Sequence, residues 1–245
     1  MIAAVRPLAL AGLLAGCGDV VIGSFALGTD GTDTTEGSDT AASSTGADAV
    51  PLPGGCVELP FDGSEDPAVW LTWAEGDAAT TITGGTLALR PASAAEQSTG
   101  LVLVDREAFR FSDASVRVQV VTPPDPASTT ELFLQVTQQA PATQAVISFA
   151  LFQGNARVRG VAADGTLAWA EQVAAGYPAW IGLRVQDGRV VFETATDGDD
   201  WVAVASYDLP ATFDGATPLV MTWNNPGDVI APQTVEVDAL RVCAQ

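Results

Sequence analysis

Short runs with an apolar residue at every second position, broken by turn dipeptides, constrain this chain more than any other feature. Val116, Val118 and Val120 alternate with Arg117 and Gln119, and Leu132, Leu134 and Val136 alternate with Phe133 and Gln135. Ile147, Phe149 and Leu151 keep the same period. So do Ile181, Leu183 and Val185 against Trp180, Gly182 and Arg184, and Val235, Val237 and Ala239 against Glu236 and Asp238. Successive side chains of a strand point to opposite faces, so a period of two sends one set into a core and the other outside. Gly84-Gly85, Pro123-Pro124, Asp164-Gly165, Asp187-Gly188, Asp197-Gly198 and Asn225-Pro226-Gly227 punctuate the runs. Asp187-Gly188, between two clear strands, predicts a tight hairpin. No long stretch has a helical period, and the pattern predicts an all-β antiparallel sandwich.

Composition then removes whole classes of chemistry. The chain has 30 acidic residues, ten basic residues that are all Arg, and no His, for a net charge of -20. Without His, a Ser-His-Asp or Cys-His nucleophile system cannot be built, and three Cys alone do not supply an ordinary zinc site. The negative balance excludes general nucleic-acid binding, which depends on neutralising phosphates. A hydrophobic fraction of 47% suffices for a packed core.

The chain divides into three parts. Residues 1–16 place one basic residue, Arg6, before an apolar run from Leu8 to Ala15, too short to span a bilayer as a helix but suited to a secretory signal. The run ends in Leu14-Ala15-Gly16-Cys17, which resembles the lipobox of bacterial lipoproteins. That resemblance implies cleavage before Cys17, lipidation of its thiol, and a protein exported and anchored to a bacterial membrane, at the outer membrane, the cell surface or the periplasmic face. Residues 17–54 are rich in Gly, Ser, Thr, Ala and acids, with no basic residue, and read as a flexible, self-repelling linker. Residues 55–245 form the folded domain, of a size that fits one sandwich. With Cys17 lipidated, Cys56 and Cys243 remain, at the two ends of that domain. An exported compartment permits them to pair, and two free thiols are the alternative.

Several stretches of the domain resemble concanavalin A-like jelly rolls, including the laminin G-like and glucanase-like branches. They are Gly85-Thr86-Leu87-Ala88-Leu89-Arg90, Tyr177 to Val185, the hairpin that runs on through Asp187-Gly188 to Trp201, and the closing run Val235 to Val242. Their order matches the family. The resemblance implies two curved antiparallel sheets with the first and last strands adjacent, which agrees with a Cys56–Cys243 pair.

The fold leaves function open. Glucanases of this family carry an E-x-D-x-x-E strand, in which two carboxylates act as nucleophile and general acid/base. The nearest match here, Glu236-Val237-Asp238-Ala239-Leu240-Arg241, has Arg where the second Glu belongs. The sequence therefore predicts no enzyme and no catalytic residue. It predicts instead a module that binds a neutral glycan or an envelope protein. The alternatives are a structural envelope protein without a ligand and a glucanase-like glycosidase. Trp70, Trp73 and Trp223 are the candidate sugar platforms, whereas Trp180 and Trp201 fall at structural positions of the family. Arg117, Gln119, Gln135 and Arg184 are candidates to line a concave sheet. No cofactor is required, but relatives hold a structural Ca²⁺ near the first and last strands, and Asp62 and Asp238 are the positions suited to it.

Overall fold

The computed structural model of the protein describes residues 50–52, 56–62, 70–93, 97–103, 114–140, 143–209, 217–224 and 232–244. Cys17, the expected signal segment, nearly all of the expected linker and the Asn225-Pro226-Gly227 turn lie outside them. None of the described residues is helical, and their strands form two antiparallel sheets.

The larger sheet contains β1 (Val50–Leu52), β2 (Cys56–Leu59), β16 (Val235–Ala244), β7 (Ala114–Thr122), β12 (Trp180–Gln186), β13 (Arg189–Ala195) and β14 (Val202–Asp208), in that order. β4 (Ala79–Thr83) and β5 (Thr86–Arg90) join it through the pairing of β5 with β16. The smaller sheet runs β11 (Leu167–Ala175), β10 (Asn155–Val161), β9 (Thr143–Phe152), β8 (Thr130–Ala140), β15 (Thr217–Asn224), β6 (Ser98–Leu103) and β3 (Trp70–Ala74).

Alternation assigns each strand's faces as expected. Val116, Val118 and Val120 from β7, Leu132, Leu134 and Val136 from β8, Ile147, Phe149 and Leu151 from β9, and Ile181, Leu183 and Val185 from β12 meet in one core between the sheets. The expected hairpin at Asp187-Gly188 joins β12 to β13 with Gln186 opposite Arg189. Both turn residues have positive φ, 53° and 73°, as a two-residue turn matched to strand twist requires.

The last strand departs from strict alternation. Ala239 has φ 48°, and the register of β16 against β7 shifts between Asp238 and Arg241. This bulge transfers the core position from Ala239, where period two puts it, to Leu240. It also divides β16 along one edge, where Val235–Val237 pair with β5 and Leu240–Cys243 pair with β2. Cys56 and Cys243 face each other in that register and form a disulfide across a sequence separation of 187. A loop of that length places the chain-entropy contribution near the upper end of the range, roughly 5 kcal/mol.

The larger sheet begins inside the span expected to be linker. Val50–Leu52 pair with Glu58, Val57 and Cys56, and Pro51 is tolerated because β1 is an edge strand with one side unpaired.

The two sheets are also pinned at opposite edges. At one, the Thr80 and Thr99 hydroxyls lie within hydrogen-bond reach of each other and of the Trp73 carbonyl, and their two protons are shared among these contacts. At the other, Trp169 on β11 stacks on Tyr207 of β14 with ring centroids 4.4 Å apart, and the Tyr207 hydroxyl donates to Glu171. Burial and the adjacent Glu171 carboxylate push Tyr207 up to about 12. Burial also raises Tyr177, despite the Gly154 N–H that donates to its oxygen. A phenol whose folded value lies above its unfolded value near 10 adds stability that is complete below pH 10 and is lost as pH rises through the folded value. Absorbance at 295 nm is therefore expected to show less phenolate in the native protein than in the unfolded protein at pH 10, with Tyr207 the last to ionise. A tyrosine that ionises at 10 in the folded protein would contradict this edge packing.

Candidate functional site

Each sheet has a face turned away from the shared core, and the two faces differ in chemistry. On the larger sheet, cross-strand register sets Glu58, Arg241, Arg117, Gly182 and Glu193 in one row. Two arginines directly opposite each other would repel, and each is neutralised locally. Arg241 Nε donates to Glu58 Oε2 at 2.5 Å, and Arg117 Nη2 donates to Glu193 Oε2 at 3.1 Å. Arg184 Nε fills the other Glu193 oxygen at 2.7 Å, so this buried carboxylate is fully engaged. Arg117 lies 4.3 Å from the Trp201 ring centroid and Arg241 4.7 Å from that of Trp180. The two indoles meet edge to face, and Trp201 covers Gly182, whose missing side chain leaves room for it. This face is a satellite cluster whose charges are paired internally, although the buried Arg117 Nε has no hydrogen-bond acceptor.

The outward face of the smaller sheet is different. On its central strands β9, β8 and β15, period two turns Glu131, Phe133, Gln135 and Thr137 away from the core, alongside Ser148 and Trp223. All six are buried, so this floor of the outward face is not a solvated surface. Trp223 lies directly opposite Glu131, and its Nε1 donates to Glu131 Oε2 at 3.2 Å. The Trp223 ring also meets Phe133 edge to face, with centroids 5.5 Å apart. Gln135 Nε2 donates to Thr137 Oγ1 at 2.8 Å. Towards the β3 edge the Trp73 indole lies over Gly100, where a Cβ would come within 2.5 Å of the ring, and its Nε1 donates to Ser98 Oγ at 3.0 Å.

Against this geometry the predicted site residues separate. Trp73 and Trp223 lie on the same outward face of the smaller sheet, with Trp223 buried. Trp70 is 5% exposed and packs in the main core, because it stands an odd number of positions from Trp73 on the same strand. Trp180 is buried, as a structural aromatic should be, but in the satellite cluster on the outward side of the larger sheet. Gln135 is separated from Arg117, Gln119 and Arg184, since it belongs to the smaller sheet and they belong to the larger one. Alternation distinguishes in from out but not one sheet from the other. Asn224 follows Trp223 in the sequence, an amide beside a candidate platform. Alternation turns it the other way, where it donates to the Ala92 carbonyl and accepts from Thr130 Oγ1.

Asp62 and Asp238 come to the same end of the β2–β16 pair, which closes at Leu59 opposite Leu240. Asp238 Oδ1 accepts the Ala239 N–H at the bulge, at 2.6 Å. Among the described residues no group of three or more acids, Cys or His is arranged to hold a metal ion.

Sequence reasoning missed Glu131. It opens a strand, where an acid reads as a solvated flank, and only the sheet order reveals that this strand is central. The carboxylate run considered in the sequence, Glu236 to Arg241, lies on β16 in the larger sheet, whereas Glu131 lies on β8 in the smaller one.

No family model matches the chain, and no curated protein does. Solved structures do share its fold. A Bacillus licheniformis β-glucanase aligns with 79% of this chain and all of its own, at 12% identity and a TM-score of 0.58. A prokaryotic β-1,3-1,4-glucanase (lichenase) from a mouse hindgut metagenome aligns with 77% of this chain and 97% of its own, at 10% identity and a TM-score of 0.57. The exoplasmic/lumenal domain of VIP36, in a Ca²⁺/Man3GlcNAc-bound form, aligns with 79% of this chain and 90% of its own, at 11% identity and a TM-score of 0.54. At such identities the likeness shows the fold alone. The expectation that the chain is not an enzyme is corrected by the same comparison, because β-glucanases share its fold over 77–79% of this chain. The chain has the jelly-roll sandwich of the concanavalin A-like and glucanase proteins.

Proposed function

We propose that this protein is a carbohydrate-recognising domain whose saccharide lies across the outward face of the smaller sheet. One observation carries the reading: a floor on the central strands that combines a carboxylate, an amide, hydroxyls and indole rings. Polar groups placed among aromatic rings are what a sugar, with its apolar faces and hydroxyl rim, needs from a binding site. Likeness in fold to two glucanases and to a mannose-oligosaccharide-bound lumenal domain supports the same class of ligand.

A second reading is hydrolysis at the same place. Glu131 supports it, as a carboxylate held on that floor by the Trp223 N–H. Two-carboxylate hydrolysis needs a second proton-transfer group within reach of the same bond. Titrating the protein with β-1,3-1,4-glucan and mannose oligosaccharides, while following reducing ends, tests both readings. Binding is expected, weakened about threefold to tenfold by Trp73→Ala, the range for loss of one aromatic contact. Release of reducing ends that disappears in Glu131→Gln would assign Glu131 to catalysis. Neither binding nor hydrolysis with any saccharide would overturn the proposal.

We also propose that Cys17 is lipidated and holds the domain at a bacterial membrane. The support is the Leu14-Ala15-Gly16-Cys17 sequence directly after an apolar run. Several acyl chains on one residue meet the requirement of more than one hydrophobic anchor for stable attachment. The wild-type protein is expected in the membrane fraction and Cys17→Ser in the soluble fraction. Equal partitioning of the two would contradict the anchor.

A further inference from the structure

Acids outnumber arginines three to one in this chain, so an arginine that finds no acid is unexpected. Arg117, Arg184, Arg189 and Arg241 all pair with carboxylates, and Arg90 donates to the Asp77 carbonyl. Among the described residues Arg157 and Arg159 have neither a carboxylate nor a carbonyl partner. Both stand on β10, where Ala156 and Val158 point into the core, so both face outward on the smaller sheet. Arg157 lies over the Phe152 ring, 5.1 Å from its centroid. The Arg159 Nε is buried and has no hydrogen-bond acceptor.

Their surroundings on the sheet are neutral. Arg159 stands between Ser148 of β9 and Ala170 of β11, and Arg157 between Ala150 and Gln172. One strand further, Ser148 lies opposite Gln135, so Arg159 continues a polar row that leads into the buried floor. Residues two apart on a strand are about 6.5 Å apart, which lets the two guanidinium groups act on one ligand. A buried guanidinium N–H without an acceptor is costly, and the fork geometry of Arg matches a carboxylate or sulfate with two parallel hydrogen bonds.

We infer that the saccharide bound on this face is acidic, and that Arg157 and Arg159 supply the cationic end of the site for its carboxylate or sulfate groups. This inference rests on the saccharide reading above. The chain's overall charge of -20 favours neutral sugars at long range. At physiological salt, exposed charges are screened beyond about 8 Å, so the local arginines set the sign inside the site.

Calorimetric titration of the full-length protein at physiological salt tests the inference. The probes are oligogalacturonate and its methyl ester, which differ only in charge at the carboxyl, and a sulfated galactan with its desulfated form. The acidic member of at least one pair is expected to bind roughly tenfold to a hundredfold tighter, the range for a charged hydrogen-bonded contact. The pair that shows the preference identifies the anion as carboxylate or sulfate. In Arg157→Gln/Arg159→Gln the preference is expected to fall towards one, with the melting transition confirming that the variant folds. The wild-type comparison of acid with ester does not depend on any variant. Equal binding of acidic and neutral members would overturn this inference and leave the saccharide site standing. A preference that survives in the double variant would overturn the assignment to these arginines, and no binding by any of these probes would overturn the inference of an acidic ligand, while the glucan and mannose titrations above decide the saccharide reading separately.

Discussion

The pairing of the last strand with the first is the constraint on which the larger sheet depends. β16 has β7 on one side, and on the other it meets β5 and then β2. The bulge at Ala239 makes this possible, because it bends the strand between its two partners and returns Leu240 to the core. The Cys56–Cys243 disulfide then holds the two ends of the domain in register. Without that closure the β1–β2 pair would be cut off from the rest of the sheet. The row that runs from Glu58 through Arg241 and Arg117 to Glu193 would also be cut at β16.

Once the larger sheet is closed, its outward face has little chemistry left to offer. Glu193 takes two arginines, Glu58 takes a third, and two of those arginines also lie on indole rings. The smaller sheet is organised the other way. Its outward floor carries Glu131, Gln135 and Trp223 at the centre, and at one side two arginines without carboxylates. In a protein this acidic, the arginines are committed to structure on one face and left available on the other. That asymmetry separates the scaffold from the site.

Much of the fold was legible in the sequence because period two is a local property. The core residues of β7, β8, β9 and β12, the hairpin at Asp187-Gly188 and the adjacency of β2 and β16 all follow from spacing, turn chemistry and the family resemblance. The site was far less legible. Spacing shows that Gln135 and Arg117 face outward but not that they face opposite ways out of the sandwich. Trp70 and Trp73 look alike in sequence, yet three positions along a strand reverse the side. Glu131 looked like the flank of a strand until the sheet order placed that strand at the centre. Ala239 was misread because a bulge changes the period without a sequence signal as plain as glycine.

A crystal structure of the protein with an oligosaccharide that it binds in solution tests the central claim most directly, that the outward face of the smaller sheet is the working surface. The account predicts sugar rings over β8 and β15, within hydrogen-bond reach of Glu131 and Gln135 and in contact with Trp73. A saccharide seated instead on the Trp180–Trp201 cluster of the larger sheet would contradict it.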